Sequence, residues 1–183
     1  MIFGDPGLVV RAHASPGYRE RTKENANAAG LTVAFAVDFD TAGERLTRQA
    51  ARAYVAVSLK PEDDVYAAAS AILRTKCRHL NIAGNGLHTL SQHGWDQRRI
   101  NEYVYQVLRV VHRQLPLTHI RSGGQTGADT AGIVAALALG VPATALFPKH
   151  FLQRDADGAD YRADPNRFRL LCKIDAQEVG ALE

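Results

Sequence analysis

Apolar, β-prone runs alternate along this chain with segments that carry helical periodicity. The runs that predict buried strands cover residues 31–37, 54–59, 79–83, 118–122 and 143–147. Because strands that alternate with helices form βαβ units, this pattern predicts a parallel sheet with helices on both faces. We therefore expect an α/β fold: a single doubly wound, Rossmann-like domain with a mostly parallel five-stranded sheet.

The ends of the chain and two internal segments lack this alternation. Residues 1–17 are rich in Gly and Pro and show no periodicity, so we expect an N-terminal arm or loop there, with the domain covering 18–183. Residues 87–95 and 148–169 are polar and are predicted to be loops. A short final element is predicted at residues 170–174.

The composition excludes several classes of protein. Hydrophobic residues make up 46% of the chain and charged residues 22%, which excludes a disordered or collagen-like chain. Aromatic residues make up only 7%, so a stacking platform for single-stranded nucleic acid is not expected. The net charge is +3 without a dense Lys/Arg run, so we expect no nucleic-acid partner. A small anionic ligand in a local basic pocket agrees with this charge.

Membrane, metal and redox chemistry are not expected either. The longest apolar stretch, 131–143, is too short to cross a bilayer, which takes about 20 residues, so we expect no membrane partner and a cytoplasmic location. Cys77 and Cys172 are expected to be reduced thiols. The histidines lack the spacing of metal ligands, so neither a metal nor another cofactor is predicted. The sequence leaves a homo-oligomer open.

The strongest functional signal lies where the fourth predicted strand enters a helix. Glycines there let a backbone approach a ligand closely, and a helix N-terminus offers N–H groups to an anion. Thr126 is expected to donate its hydroxyl to a phosphate, and Asp129 to bind a ribose hydroxyl or act as a base. The alternative is a tight turn followed by a helix-start carboxylate. The predicted ligand-binding residues of this loop are Ser122, Gly123, Gly124, Gln125, Thr126, Gly127 and Asp129.

Two further loops follow predicted strands in the same way. Gly84, Asn85 and Gly86 follow the third strand, and residues 38–44 follow the first. Because parallel strands end at the same edge of a sheet, the three loops are expected to converge on one ligand. Lys149, after the fifth strand, is an anion ligand at that edge or else a solvated loop cation.

The chain also resembles a known family in a permuted order. Ser122–Asp129, with the Ala-rich helix after it and Pro148-Lys149, resembles the opening of the molybdenum carrier family. Features of the family's later part stand earlier in this chain, so the resemblance implies a circular permutation and covers most of the chain. These features are Tyr18, Arg21-Thr22, Asn25, Leu31-Thr32, Gly43, Thr47 and Leu80-Asn81-Ile82-Ala83-Gly84.

Through that family the chain resembles the SLOG superfamily of Rossmann-like nucleotide-binding domains, which includes the Lonely Guy-type phosphoribohydrolases. The resemblance implies that 41–47 is a ligand loop, with Thr41, Gly43 and Thr47 as binding residues. Thr47 stands where those enzymes carry a catalytic Glu, and Glu44 lies about one helical turn away. If the chain is an enzyme, its catalytic residues are expected to be Arg21, Glu44 and Asp129.

Three functions follow from these observations. The favoured one is binding of a nucleotide or a nucleotide-derived ligand, a small phosphorylated molecule, through the glycine loops. The alternatives are hydrolysis of an N-glycosidic bond in a nucleotide and carriage of an oxyanion such as molybdate. If the loop binds phosphate, Gly124→Val is expected to abolish binding while the fold is kept.

Overall fold

The computed structural model describes residues 7–60 and 64–181, and over these residues the chain forms one six-stranded parallel sheet with seven α-helices. In chain order the first part contains β1 (Leu8–Ala12), α1 (Arg19–Ala28), β2 (Leu31–Ala36), α2 (Ala42–Ala50) and β3 (Tyr54–Ser58). The middle part contains α3 (Val65–Leu73), β4 (His79–Gly84), α4 (Leu87–Ser91), α5 (Gln97–Gln114) and β5 (His119–Ser122). The last part contains α6 (Ala128–Ala138), β6 (Ala143–Phe147), a 3-10 turn (Lys149–Phe151), β7 (Leu152–Arg154), β8 (Asp160–Arg162) and α7 (Pro165–Gly180).

The strand order in the central sheet is β1-β6-β5-β4-β2-β3, and neighbouring strands pair in parallel. This confirms the predicted α/β class and the parallel pairing of the five predicted strands. β2 and β6 are buried at every position, which explains their continuous apolar sequences.

Helices cover both faces of the sheet, as a doubly wound fold requires. Gly132 of α6 packs against Ile82 of β4, while Asn25 of α1 contacts Arg121 of β5. Ile82 pairs in register with Ser122, so the adjacent Arg121 points to the opposite face. α1 packs with α2, and on the other side α3, α5, α6 and α7 pack in succession.

The structure corrects the predicted strand count and the predicted N-terminal loop. Leu8–Ala12 forms β1 and pairs in parallel with Ala143–Phe147, so the sheet gains a sixth strand within the described residues. This strand lies at the edge, where Leu8 and Val10 are half-buried and Val9, Arg11 and Ala12 are exposed. Its apolar run covers only residues 8–10, which is shorter than the runs of about 4–8 residues that mark a buried strand in sequence.

Two predicted loops also contain regular structure. Residues 87–95 begin with the short helix α4, and 148–169 contain the antiparallel pair β7–β8 and the start of α7. The predicted element at 170–174 is the middle of α7. This helix starts after Asp164, whose carboxylate accepts hydrogen bonds from the N–H groups of Asn166 and Arg167.

The sequence also predicts helices at 19–27, 41–53, 61–76, 96–115 and 128–139. The corresponding helices α1, α2, α3, α5 and α6 agree with these bounds to within a few residues where the structure describes the chain. α5 begins after Asp96, which accepts a hydrogen bond from Arg99 N at 2.8 Å. The predicted helix start comprises Pro61, Glu62, Asp63 and Asp64, and residues 61–63 lie outside the described residues. Asp64 is the N-cap of α3, and its carboxylate accepts hydrogen bonds from Tyr66 N and Ala67 N. No helix within residues 7–60 and 64–181 has both the length and the apolar character that a bilayer crossing requires.

Candidate functional site

A cavity of about 590 Å³ opens at the carboxyl ends of the strands. β2 connects through α2 to β3 on one side of the sheet, and β4 connects through α4 and α5 to β5 on the other. The chain leaves the adjacent strands β2 and β4 in opposite directions along the sheet. The loops after them therefore diverge and leave a crevice, which is the usual ligand site of such sheets. The walls come from α1, the start of α2, the loop after β4 and the loop after β5.

Most of the residues predicted from sequence line this cavity, so the three loops converge as expected. The lining includes Arg21, Thr41, Gly43, Glu44, Thr47, Gly84, Asn85, Gly86, Gly123, Gln125, Thr126 and Asp129. Ser122, Gly124, Gly127 and Lys149 are not among the lining residues.

The loop after β4 is built around a glycine and an asparagine. Gly84 has φ +142°, and a Cβ atom there would lie 2.0 Å from the carbonyl oxygen of Phe35, so only glycine fits. The Oδ1 atom of Asn85 accepts hydrogen bonds from the N–H groups of Val37 and Asp38, both at 2.9 Å. Asn85 therefore joins the loops after β2 and β4 and sets the shape of the cavity floor.

The loop after β5 uses its N–H groups within the chain. Gly127 N donates to Gln97 Oε1 at 2.7 Å, and Thr126 N donates to Gln125 Oε1 at 3.0 Å. Gln125 N donates to Asp129 Oδ2 at 3.3 Å. The sequence pattern predicted that these groups would be open to an anion, and the structure instead pairs them with amide and carboxylate oxygens of the protein.

Three of the predicted ligand residues have structural roles. Gly124 has φ +68°, and a Cβ atom there would lie 2.4 Å from the ring of Phe147, so it faces the core. Gly124→Val would therefore disturb the fold. This corrects the prediction that the substitution would abolish ligand binding while the fold is kept. The Ser122 hydroxyl donates to the Asp129 carbonyl at 2.8 Å, and the Thr126 hydroxyl donates to the Arg154 carbonyl at 2.6 Å.

A buried ion pair lies at the base of the cavity. Arg21 Nη1 lies 3.1 Å from Asp129 Oδ2, and the two residues are 7% and 6% exposed. A Cβ atom at position 123 would lie 1.5 Å from Arg21 Nη1, so Gly123 makes room for the guanidinium. Burial raises the pKa of Asp129, and the charge of Arg21 opposes that change.

The Arg21 guanidinium also carries an unsatisfied donor. Its Nε atom is buried, and no atom of the described residues forms a hydrogen bond with it. Unsatisfied buried donors are rare and costly, about 1–3 kcal/mol and more for charged groups. The side chains of His79, Arg109 and Arg169 contain buried nitrogens of the same kind, and of these four residues Arg21 is the one that lines the cavity.

Glu44 is the second buried carboxylate of the site. It lies in the first turn of α2, is 3% exposed, and accepts a hydrogen bond from the Tyr54 hydroxyl at 3.4 Å. Burial, with the Asp129 charge as a smaller cause, raises the pKa of Glu44 to about 7. Glu44 can therefore gain or lose a proton near neutral pH, as a general acid or base must.

The two predicted threonines at the start of α2 use their hydroxyl groups in hydrogen bonds within the helix and its cap. Thr41 is the N-cap of α2, and its hydroxyl oxygen accepts a hydrogen bond from Glu44 N. The Thr47 hydroxyl donates to the Gly43 carbonyl at 2.9 Å. Gly43 itself lies at the cavity wall, and a Cβ atom there would meet nothing within 4 Å.

The cavity mouth contains a cluster that the sequence-based site prediction missed. The Tyr18 hydroxyl donates to Asp160 Oδ1 at 3.0 Å, and Arg154 Nε lies 2.8 Å from the same oxygen. Both Tyr18 and Arg154 line the cavity. Arg154 and Asp160 come from the β7–β8 hairpin, which the sequence presents only as a polar loop. Tyr18 is one of the residues on which the family resemblance rests, so the sequence did draw attention to this position.

Comparisons with protein-family models, curated proteins and solved structures found no match to this chain. Within residues 7–60 and 64–181, the structure contains no group of three or more His, Cys, Asp or Glu side chains arranged to hold a metal ion. The site is therefore characterised by its own geometry: a crevice at the switch point of the sheet, a buried ion pair and a second buried carboxylate.

Proposed function

We propose that this chain binds a small phosphorylated ligand, a nucleotide or a nucleotide-derived molecule, in the cavity between β2 and β4. The observation that carries the proposal is the buried, unsatisfied Nε donor of Arg21 in the cavity wall. Arginine presents donors in a planar fork that suits phosphate oxygens. The Nε atom has almost no exposed surface, so a ligand oxygen would reach this donor through a small rotation of the guanidinium.

The size and lining of the cavity support the same proposal. Its volume of about 590 Å³ lies within the usual range for small-molecule sites, about 300–1,000 Å³. The Tyr18 ring in the cavity wall lies against the guanidinium groups of Arg21 and Arg154, each 5.7 Å from the ring centre. Asn25 and Asn81 add amide groups to the wall. Arg19 and Arg154 also line the cavity, and their charges are paired with Glu20 and Asp160. The resemblance to SLOG domains is consistent with these features.

A leucine at Gly43 tests the proposal without disturbing the core. The side chain would project into open space at the cavity wall, and replacement of glycine in a helix favours folding. Wild-type protein is expected to bind at least one nucleoside monophosphate in calorimetric titrations. Gly43→Leu is expected to weaken that binding about a hundredfold, or about 2.7 kcal/mol.

The matched control is Gly180→Leu. Gly180 also lies in a helix, a Cβ atom there would meet nothing within 4 Å, and the residue is not among those that line the cavity. This variant is expected to bind like wild type, and neither variant is expected to unfold at a lower temperature. If none of the nucleoside monophosphates tested binds wild-type protein, or if Gly43→Leu binds them as tightly as wild type does, the proposal is wrong.

Glu44 supports a second candidate function, hydrolysis of the N-glycosidic bond of the bound nucleotide. A carboxylate with a pKa of about 7 in the cavity wall suits a general base that takes a proton from water. The attacking water would form a bond to C1′ of the ribose while the bond from C1′ to the base breaks. The products would be the free base and ribose phosphate.

Chromatographic detection of free base separates binding from hydrolysis. With nucleoside monophosphates as substrates, we expect no base release from wild-type protein or from Asp129→Asn. Asp129→Asn is expected to retain binding to within about tenfold, since the amide oxygen remains a hydrogen-bond acceptor. Base release by wild type that falls a hundredfold or more in Glu44→Gln would establish the hydrolase function instead.

A further inference from the structure

The last helix, α7, presents apolar side chains to solvent. Leu170, Leu171 and Ile174 are 58%, 47% and 42% exposed. They account for half of the six large hydrophobic side chains that are exposed within residues 7–60 and 64–181. Positions 170, 171 and 174 share one face of a helix because they are separated by one, three and four residues.

This face is separate from the one that attaches α7 to the domain. Phe168, Cys172, Ala176 and Val179 are buried, and through them α7 packs against the rest of the fold. A helix on the surface of a domain ordinarily buries one apolar stripe and presents polar residues on the other side. α7 has apolar residues on both sides, a pattern typical of a helix that contacts a partner through its outer face.

The charges around the apolar face indicate what that partner is. Arg167 precedes the apolar residues by about one turn, and Glu178 follows them by about one turn; both are exposed. Glu178 also lies beside Arg98 of α5, across a shared groove. Arg167 and Glu178 lie equally far from the midpoint between residues 172 and 173, and so do Leu171 and Ile174. In an antiparallel pair of α7 helices centred there, each arginine would therefore face a glutamate, and each Leu171 would face Ile174.

We propose that a second copy of this chain covers the outer face of α7 and forms a two-fold symmetric dimer. A two-fold axis perpendicular to the helix makes the contact antiparallel and self-complementary, so the same patch serves both subunits. A parallel pair would place Arg167 against Arg167 and Glu178 against Glu178. The charge distribution therefore selects the antiparallel arrangement. This proposal does not depend on the ligand site.

Sedimentation of the full chain from low to high micromolar concentration tests the dimer. Wild-type protein is expected to sediment with about twice the mass of the 19.9 kDa chain. Ile174→Glu is expected to sediment as a monomer with an unchanged circular dichroism spectrum, because it buries a charge only in the dimer. Tyr66→Glu, at an exposed residue of α3, is the control and is expected to remain dimeric. A monomeric wild type, or a dimeric Ile174→Glu, would overturn the proposal.

Charge reversal tests the antiparallel arrangement and leaves the apolar residues in place. Arg167→Glu and Glu178→Arg are each expected to weaken the dimer on the order of tenfold, because each places like charges face to face. The double variant restores opposite charges, so its dissociation constant is expected to return close to that of wild type. A double variant that dimerises no better than either single variant would exclude this arrangement.

Discussion

Replacing Arg21 by methionine is expected to lower the free energy of unfolding by about 3–5 kcal/mol, because it leaves Asp129 buried without its cation. The measurement is urea denaturation at neutral pH. The matched control is Arg98→Met, which breaks the exposed pair between Arg98 and Glu102 at 2.9 Å. That change is expected to leave the urea midpoint almost unchanged, because an exposed ion pair is screened by water. Equal losses in the two variants would contradict the structural role of the buried pair.

The double variant Arg21→Met with Asp129→Leu separates the charge of the pair from its packing. With both charges removed, no buried ion is left unpaired, so the double variant is expected to be more stable than Arg21→Met. Its ligand binding is expected to be lost, since the guanidinium is absent. A double variant that is less stable than Arg21→Met would show that packing, and not charge, dominates at this position.

Glu44→Gln is expected to change the pH dependence of stability. Burial raises the pKa of Glu44 from 4.5 to about 7 in the folded protein. A carboxyl group whose folded pKa is raised contributes stability that is fully present below pH 4.5 and is lost as the pH rises through 7. Above that range Glu44→Gln is expected to be more stable relative to wild type, by up to about 3 kcal/mol.

Urea denaturation at pH values on both sides of this range provides the measurement. The difference between Glu44→Gln and wild type is expected to grow between pH 4.5 and 7 and then to level off. Glu20→Gln, at an exposed residue of α1, is the control for replacing a carboxyl by an amide away from the cavity. A pH-independent difference for Glu44→Gln would mean that the carboxyl titrates as an ordinary exposed Glu.

The sequence by itself determined the α/β class, the strands that form the middle of the sheet and the loops that meet at its edge. A central strand is buried on both faces, so 31–37 and 143–147 had to be continuous apolar runs. The glycines and polar residues after β2, β4 and β5 followed from the same local patterns. Parallel strands end at one edge, so these local signals were enough to predict where the cavity forms.

Only the tertiary structure decided which of those residues face a ligand. Arg21 and Asp129 come from distant parts of the chain, and no local pattern records that they pair. Gly124 faces the core and not the cavity because Phe147 packs against it. Gly127 N in the loop after β5 is occupied because Gln97 reaches it from α5. β1 is likewise extended because β6 offers it an edge to pair with. Contacts between residues far apart in sequence fix these features, so they require the folded chain.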